Sequence, residues 1–184
     1  MKIEINIENM ADLAALFNRA SWIRERFDFS QLSRKDQLEL IRKDGWVVHK
    51  VENPTKEMWR VAIRNNPSCI MHHDDLDEDL YLLAVKKKSE TLFLIKNPSL
   101  AVILESFYSH PYFQKFYQGY EPEQRVIVWA NNNMNSPCLM PSFPWIAEFQ
   151  DWFLKRGGNI NLIPENELLE KFHYLRVLKK VNIL

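Results

Sequence analysis

The stretch Leu38–Thr55, LELIRKDGWVVHKVENPT, carries the pattern that decides the fold of this chain. Its apolar pair Leu40-Ile41 follows Ser33, a residue whose hydroxyl can accept a hydrogen bond from the first turn of a helix. Gly45 interrupts the stretch and Asn53-Pro54 closes it, and both residue types end helices. The stretch therefore predicts a capped helix, a turn and a short second helix.

The pattern recurs every 22 residues without gaps. The possible helix caps are Ser33, Thr55, Asp77 and Ser99. The apolar positions near the end of each first helix are Leu40-Ile41, Ala62-Ile63, Ala84-Val85 and Ser106-Phe107, and the basic residues that follow are Arg42, Arg64 and Lys86. The breakers are Gly45, Pro67 and Ser89, and the second apolar pairs are Val47-Val48, Cys69-Ile70 and Thr91-Leu92. Units this small bury an apolar face only by stacking, so residues 33–120 are predicted to form a mini-solenoid of αα-hairpins.

Three segments resemble a helical repeat family of unknown function that occurs in tandem arrays in bacterial and especially bacteriophage proteins. They are Leu38–Thr55, Ala62–Met71 (AIRNNPSCIM) and Ala84–Ser99 (AVKKKSETLFLIKNPS). The usual Ala-Leu of the second helix is replaced in all three, and Gly is lost in two. The resemblance implies a helical solenoid, plausibly encoded by a phage, and it implies no reaction.

The flanking segments do not follow the repeat. Lys2–Ile7 alternates apolar and polar residues and is a candidate strand, and residues 10–27 have helical spacing. Arg125–Ala130 (RVIVWA) is rich in β-branched residues and predicts a buried strand. A helix over 145–156, a second strand at Asn159–Ile163 and a final helix over 165–181 complete a βαβ-like unit at residues 121–184.

The predicted fold class is therefore mainly α with a small α/β part. The predicted parts are an N-terminal strand and helix at 1–32, the helical repeats at 33–120 and the C-terminal unit at 121–184. We expect the three to pack as one compact body.

The composition excludes several classes of protein. The 24 basic and 24 acidic residues cancel, so no net field draws the chain to nucleic acid or to anionic lipid. With only 4 glycines, the chain lacks the glycine-rich turns of nucleotide-binding folds. Cys69 and Cys138 form no metal-binding motif, and no apolar run is long enough to span a bilayer. A soluble, cytoplasmic protein without cofactor or metal is expected, in the host cell cytoplasm if a phage encodes it.

The densest polar cluster is His72–Asp79 (HHDDLDED), in which every residue but the leucine is a possible metal ligand. A calcium-binding loop starting at Asp75 fails, because Leu80 and Lys86 occupy the positions that need Gly and Glu. The favoured interpretation is a helix N-terminus, where negative side chains complement the helix dipole.

Two short basic runs could contact phosphate or an acidic partner. They are Lys86–Lys88 and the group Lys171, Arg176, Lys179 and Lys180. Neither has the size of a nucleic-acid-binding patch, and the favoured interpretation is a solvated helix end.

Seven aromatic residues fall between Phe107 and Tyr120, too many for one helix face to hide. Their favoured role is packing between the repeats and the C-terminal unit. The hypothetical partner-binding residues are the tyrosines of this segment, Tyr108, Tyr112, Tyr117 and Tyr120, because exposed tyrosines anchor interfaces.

An alternative ligand site follows from the predicted strands. In an open α/β sheet a ligand binds beyond the carboxyl ends of the strands, near Asn131, Asn132, Asn133 and Glu165. The chain has no P-loop, nucleophile elbow or zinc-protease motif, and asparagines after a strand commonly form turns.

The leading hypothesis is a non-enzymatic module that binds another protein, as a phage accessory protein that interferes with a bacterial defence factor. The alternatives are a small enzyme or nucleotide-binding protein that uses the C-terminal unit, and a structural subunit of a phage particle. The sequence leaves the partner and the oligomeric state open.

Overall fold

The computed structural model describes residues 10–71, 73–110, 121–133, 144–164, 166, 168–170 and 172, and these residues are mainly helical. The chain divides into two compact units between Lys87 and Lys88. None of the helices in the described ranges is long and apolar enough to cross a membrane.

The helices of the first unit are α1 (Met10–Arg19), α2 (Ser21–Arg26), α3 (Arg34–Lys43), α4 (Lys56–Asn65) and α5 (Glu78–Lys87). Those of the second unit are α6 (Leu100–Ser109), α7 (Pro122–Asn133) and α8 (Ala147–Lys155). Short 3-10 helices are Phe29–Gln31, Gly45–Lys50, Pro67–Ile70, Ser89–Leu94 and Ile160–Leu162.

The helices α3 to α6 begin 22 residues apart, as the sequence period predicts. The side-chain caps predicted at Ser33, Thr55 and Ser99 are confirmed, since each hydroxyl accepts a hydrogen bond at 3.2–3.3 Å from the amide three residues on. The backbone carbonyl of Asp77 accepts bonds from Leu80 and Tyr81, while its carboxylate pairs with Lys56. A side-chain cap thus fixes the start of α3, α4 and α6.

The predicted apolar positions are confirmed as core. All the following are buried: Leu40, Ile41, Val47, Val48, Ala62, Ile63, Cys69, Ile70, Ala84, Val85, Thr91, Leu92, Ser106 and Phe107. Each large side chain among them contributes about 1.5–3 kcal/mol through the area it removes from water.

The short second helices are 3-10 helices, and an Asx side chain starts two of them. Asp44 accepts from the amide of Trp46 at 3.0 Å, and Asn66 accepts from the amide of Ser68 at 3.1 Å. These bonds turn the chain immediately after α3 and α4 and direct the following apolar pair into the core.

Gly45 lies where α3 meets α4. A Cβ at this position would be 2.7 Å from the backbone oxygen of Ala62, closer than two such atoms can approach. The glycine therefore allows the turn after α3 to contact the end of α4 directly.

The second unit has an aromatic core. Phe107 of α6 stacks on Phe149 of α8 with 6.2 Å between ring centroids, and Phe149 also packs against Trp145, Trp152 and Phe153. Gly157, with φ of +83°, ends α8 in the left-handed conformation. Phe107 is therefore a core residue of this unit.

The small sheet predicted from the flanking segments is wrong, because no strand occurs in the ranges that the structure describes. Arg125–Ala130 lies inside α7, which begins at Pro122, the residue type favoured at a first helical position. Its buried residues Val126, Ile127 and Ala130 share one helix face, so packing overrides the β preference of valine and isoleucine.

The predicted strand Asn159–Ile163 is wrong for a different reason. The Asn159 side chain accepts from the amide of Asn161 at 3.0 Å and starts the 3-10 helix Ile160–Leu162. The predicted strand Lys2–Ile7 lies outside the described residues, as does most of the predicted final helix over 165–181. The helix predicted over 10–27 is divided into α1 and α2 at Ala20.

Candidate interaction surface

Asn65, the last residue of α4, joins the ends of two successive helices. Its Nδ2 donates to the carbonyl of Arg42 at 3.0 Å, and its Oδ1 accepts from the amide of Gly45 at 2.8 Å. The carboxyl end of α4 therefore lies beside the carboxyl end of α3.

Ion pairs join the amino ends of α4 and α5. The ammonium of Lys56 lies 2.6 Å from Asp77 and 2.7 Å from Asp79, and Arg60 lies 2.9 Å from Asp79. Hydrogen bonding to Asp77 and Asp79 raises the pKa of Lys56, and hydrogen bonding to Lys56 lowers the pKa of Asp79. The helices α3, α4 and α5 thus run in the same direction, because α4 shares its amino end with α5 and its carboxyl end with α3.

The shared carboxyl ends of these three helices carry a cluster of exposed cations, which we call the basic edge. It consists of Arg42, Lys43, Arg64, Lys86 and Lys87. All five side chains are exposed, and none forms an ion pair or hydrogen bond with another of the described residues. The acid nearest in sequence to Arg42 and Lys43, Asp44, is buried and bonds to Arg24 at 2.9 Å.

The two ends of the helices therefore differ in how their charges are balanced. At the amino ends of α4 and α5, Lys56 and Arg60 have carboxylate partners. At the carboxyl ends, positive charge accumulates without a counter-charge from the described residues. A positive side chain at the carboxyl end stabilises a helix by about 0.3–1 kcal/mol through its interaction with the helix dipole, which explains the placement of these cations. The dipole does not explain why these five cations have no carboxylate partner among the described residues, whereas Lys56 and Arg60 do.

Two histidines and two tryptophans form a second cluster within the first unit. Nδ1 of His49 lies 3.0 Å from Nε2 of His73, and the two rings stack with centroids 4.9 Å apart. Trp46 stacks on His49, and Trp59 packs edge-on against both imidazoles. The cluster connects the 3-10 helix after α3 to the loop before α5.

A groove of about 490 Å³ lies beside α3, and its two cations have partners. Arg34 donates to the carbonyl of Glu52 and to Gln37, both at 3.1 Å, and Lys50 pairs with Glu25. The lining also includes Phe27 and Phe29. The groove therefore differs from the basic edge, whose cations have no such partners among the described residues.

Of the tyrosines predicted to bind a partner, Tyr108 lies in α6 and is half-buried. Its pKa is raised, first by burial and then by the charge of Glu123. Tyr112, Tyr117 and Tyr120 lie outside the described residues. Of the four tyrosines, Tyr108 alone lies within the described residues, and it belongs to the second unit.

The predicted ligand-binding asparagines lie at the carboxyl end of α7. Asn131 accepts a hydrogen bond from the amide of Asn159 at 2.9 Å, so its side chain connects α7 to the turn after α8. Asn132 and Asn133 are also in α7, and Glu165 lies outside the described residues. The strand ends from which this site was predicted are absent from the described residues, and the argument from sheet topology does not apply.

The acidic cluster before α5 is used within the fold. Asp77 and Asp79 bind Lys56, and Tyr81 donates from its hydroxyl to the carbonyl of His73 at 2.7 Å. No three His, Cys, Asp or Glu residues of the described ranges are grouped so that they could hold a metal ion.

The sequence did not predict three side-chain amides, each of which connects backbone segments within a single unit. They are Asn65, Gln37 and Gln150. The buried Gln37 donates to the carbonyl of Phe29 at 3.0 Å, and the buried Gln150 donates to the carbonyl of Trp145 at 2.7 Å. The partners of Asn65 and Gln37 lie on other elements, and the Gln150 bond lies at the start of its own helix, so no repeated spacing in the sequence identifies these contacts.

Comparison with protein-family models, with curated proteins and with solved structures yields no match. The resemblance to phage-associated helical repeats accordingly stays an expectation from the residues quoted above.

Proposed function

We propose that this chain is a non-enzymatic protein-binding module whose contact surface includes the basic edge. The observation that carries the proposal is the cluster Arg42, Lys43, Arg64, Lys86 and Lys87, exposed at one end of three aligned helices without a carboxylate partner among the described residues. Unbalanced charge of one sign steers a complementary partner and specifies which partner binds.

The interior of the first unit supports a scaffold role. Its recurrent apolar pairs are buried and its recurrent hydroxyls cap the helices, so the repeat builds the helical frame. The five cations of the basic edge form no ion pair or side-chain hydrogen bond with the described residues, so they can vary to suit a partner. The setting that we propose is the one implied by the resemblance, a phage accessory protein that interferes with a bacterial defence protein.

The test is capture of a partner from bacterial lysate by the tagged full-length chain, followed by calorimetry with the purified partner. We expect a saturable complex that is weakened by the double variant R64E/K86E. The matched control R19E/K35E makes the same change in net charge at two exposed cations outside the basic edge, and it should bind as the unaltered chain does.

A third variant, Y117A/Y120A, tests whether the tyrosine segment adds to the same interface. Loss of binding in this variant, with unchanged thermal unfolding, would extend the surface to the second unit. Failure to recover any saturable partner with the unaltered chain would contradict the proposed function.

A further inference from the structure

We infer that the occupant of the basic edge is an extended acidic segment of a partner protein, laid across the carboxyl ends of α3, α4 and α5. This inference rests on the proposed protein-binding function and adds the chemistry and the spacing of the partner. It depends on how the five cations are arranged.

Three of the cations, one at the carboxyl end of each helix, define three columns in the order α3, α4 and α5. Arg42, Arg64 and Lys86 occupy equivalent positions, 22 residues apart, in three helices that each have ten residues. Asn65 aligns the ends of α3 and α4, and the ion pairs of Lys56 align α4 with α5. The three side chains therefore project from one edge in sequence order.

The spacing of the columns suits an extended polypeptide. Packed helices lie about 8–10 Å apart, and an extended chain in the polyproline II conformation rises about 3.1 Å per residue with three residues per turn. A carboxylate at every third residue therefore stays on one face and meets one column after another. Lys43 and Lys87 lie beside the outer columns and widen the positive surface at both ends. A segment with acids at about every third residue would thus meet all three helices.

The charge of the whole chain favours a protein occupant over nucleic acid. The 24 basic and 24 acidic residues give a formal net charge of +0, so the chain as a whole has no excess of positive charge. Nucleic-acid-binding domains commonly carry a net positive charge over the domain, because their affinity comes from many phosphate contacts. A local basic cluster on a neutral chain matches an equally local acidic cluster on a protein.

The edge has no built pocket, so affinity for a short peptide will be low and strongly dependent on salt. Exposed ion pairs contribute about 0.2–1 kcal/mol each, and salt at about 0.15 M screens charges beyond about 8 Å. A method that detects weak binding at single residues is therefore required.

The experiment is titration of the isotope-labelled full-length chain with a synthetic peptide, followed by amide NMR at low salt. The peptide carries glutamate at every third position, roughly matching the column spacing, with neutral residues between. We expect the largest shifts at residues 42–43, 64–65 and 86–87. R64E/K86E should weaken the apparent affinity about tenfold, and R19E/K35E should change it less than about twofold.

Two comparison ligands make the test decisive. A peptide of the same composition with its glutamates in one block should bind more weakly, and equal binding would overturn the proposed spacing. A single-stranded oligonucleotide that binds more tightly than the peptide, with shifts at the same residues, would overturn the protein occupant in favour of nucleic acid.

The two proposals fail in different ways. Absence of peptide shifts at the basic edge, while R64E/K86E still weakens partner capture, would remove the acidic-segment inference and leave the basic edge as a protein-binding surface. Partner capture unaffected by R64E/K86E would contradict the basic edge itself. Absence of any captured partner would contradict the proposed function itself, whatever the peptide does.

Discussion

Asn65 shows how single side chains align successive helices in the first unit. Its amide donates to Arg42 and accepts from Gly45, so one residue serves the ends of both α3 and α4. At the same end of the helices, Arg64 is exposed, and its side chain forms no ion pair or hydrogen bond with the described residues. Adjacent residues in α4 therefore have separate roles, one in the fold and one on the surface.

Replacing Asn65 with alanine should lower the free energy of unfolding by about 1–2 kcal/mol, because the amide of the buried Gly45 loses its acceptor. Urea denaturation measures this change. The control Arg64→Ala should stay within about 0.5 kcal/mol of the unaltered chain, as exposed substitutions usually do. An Asn65 variant as stable as that control would show that the bridge contributes nothing.

Cys69 provides a probe of how the first unit opens. Burial raises the pKa of its thiol to about 12 from a model-compound value of 9.0, which lowers the thiolate fraction at neutral pH by about three orders of magnitude. In a Cys138→Ala variant, alkylation should therefore follow opening of the unit and accelerate in urea. Labelling in native buffer at the rate of the urea-unfolded chain would contradict the burial.

At the scale of elements, local signals predict the helices of the first unit well. Ser33 and Thr55 start α3 and α4 where the sequence indicates, because a cap and an apolar face are both local features. The bridging of Asn65 to Gly45 and of Lys56 to Asp77 was not predicted, since it depends on how separate elements pack. The candidate surface follows from that packing.

The two wrong strands show where local reasoning fails. The β-branched residues of Arg125–Ala130 favour a strand by propensity, yet Pro122 and Glu123 are suited to a first helical turn and the apolar spacing fits one helix face. Asn159 has the same role as Asp44 and Asn66, each of which starts a 3-10 helix. An Asx residue directly before a short apolar run therefore indicates a 3-10 helix, and this signal predicts the one that begins after Asn159.

NMR chemical shifts test the helical assignment of α7 directly. The Cα shifts of residues 122–133 should lie above random-coil values throughout, as in a helix, and sequential amide contacts should accompany them. Val126, Ile127 and Ala130 should show slow amide exchange, because they are buried on one face. Shifts below random-coil values over 125–130 would restore the strand and contradict α7.

At the scale of the whole molecule, the zero net charge conceals a local cluster of positive charges at the basic edge that are unpaired among the described residues. The 24 cations and 24 anions balance in number, yet the cations of the basic edge have no ion-pair partner in the described ranges while Lys56 and Arg60 are paired. The chain as a whole consequently attracts neither sign of charge, and both steering and binding must depend on the local arrangement of charge. The proposed function depends on this local arrangement of positive charge at the basic edge.

The most direct test of this account is the salt dependence of the complex with the captured partner, measured by calorimetry between about 0.05 M and about 0.2 M salt. For the unaltered chain and for R19E/K35E, affinity should fall steeply as salt rises. For R64E/K86E, affinity at low salt should be about tenfold weaker and nearly independent of salt. The same salt dependence in all three proteins would contradict the basic edge as the binding surface.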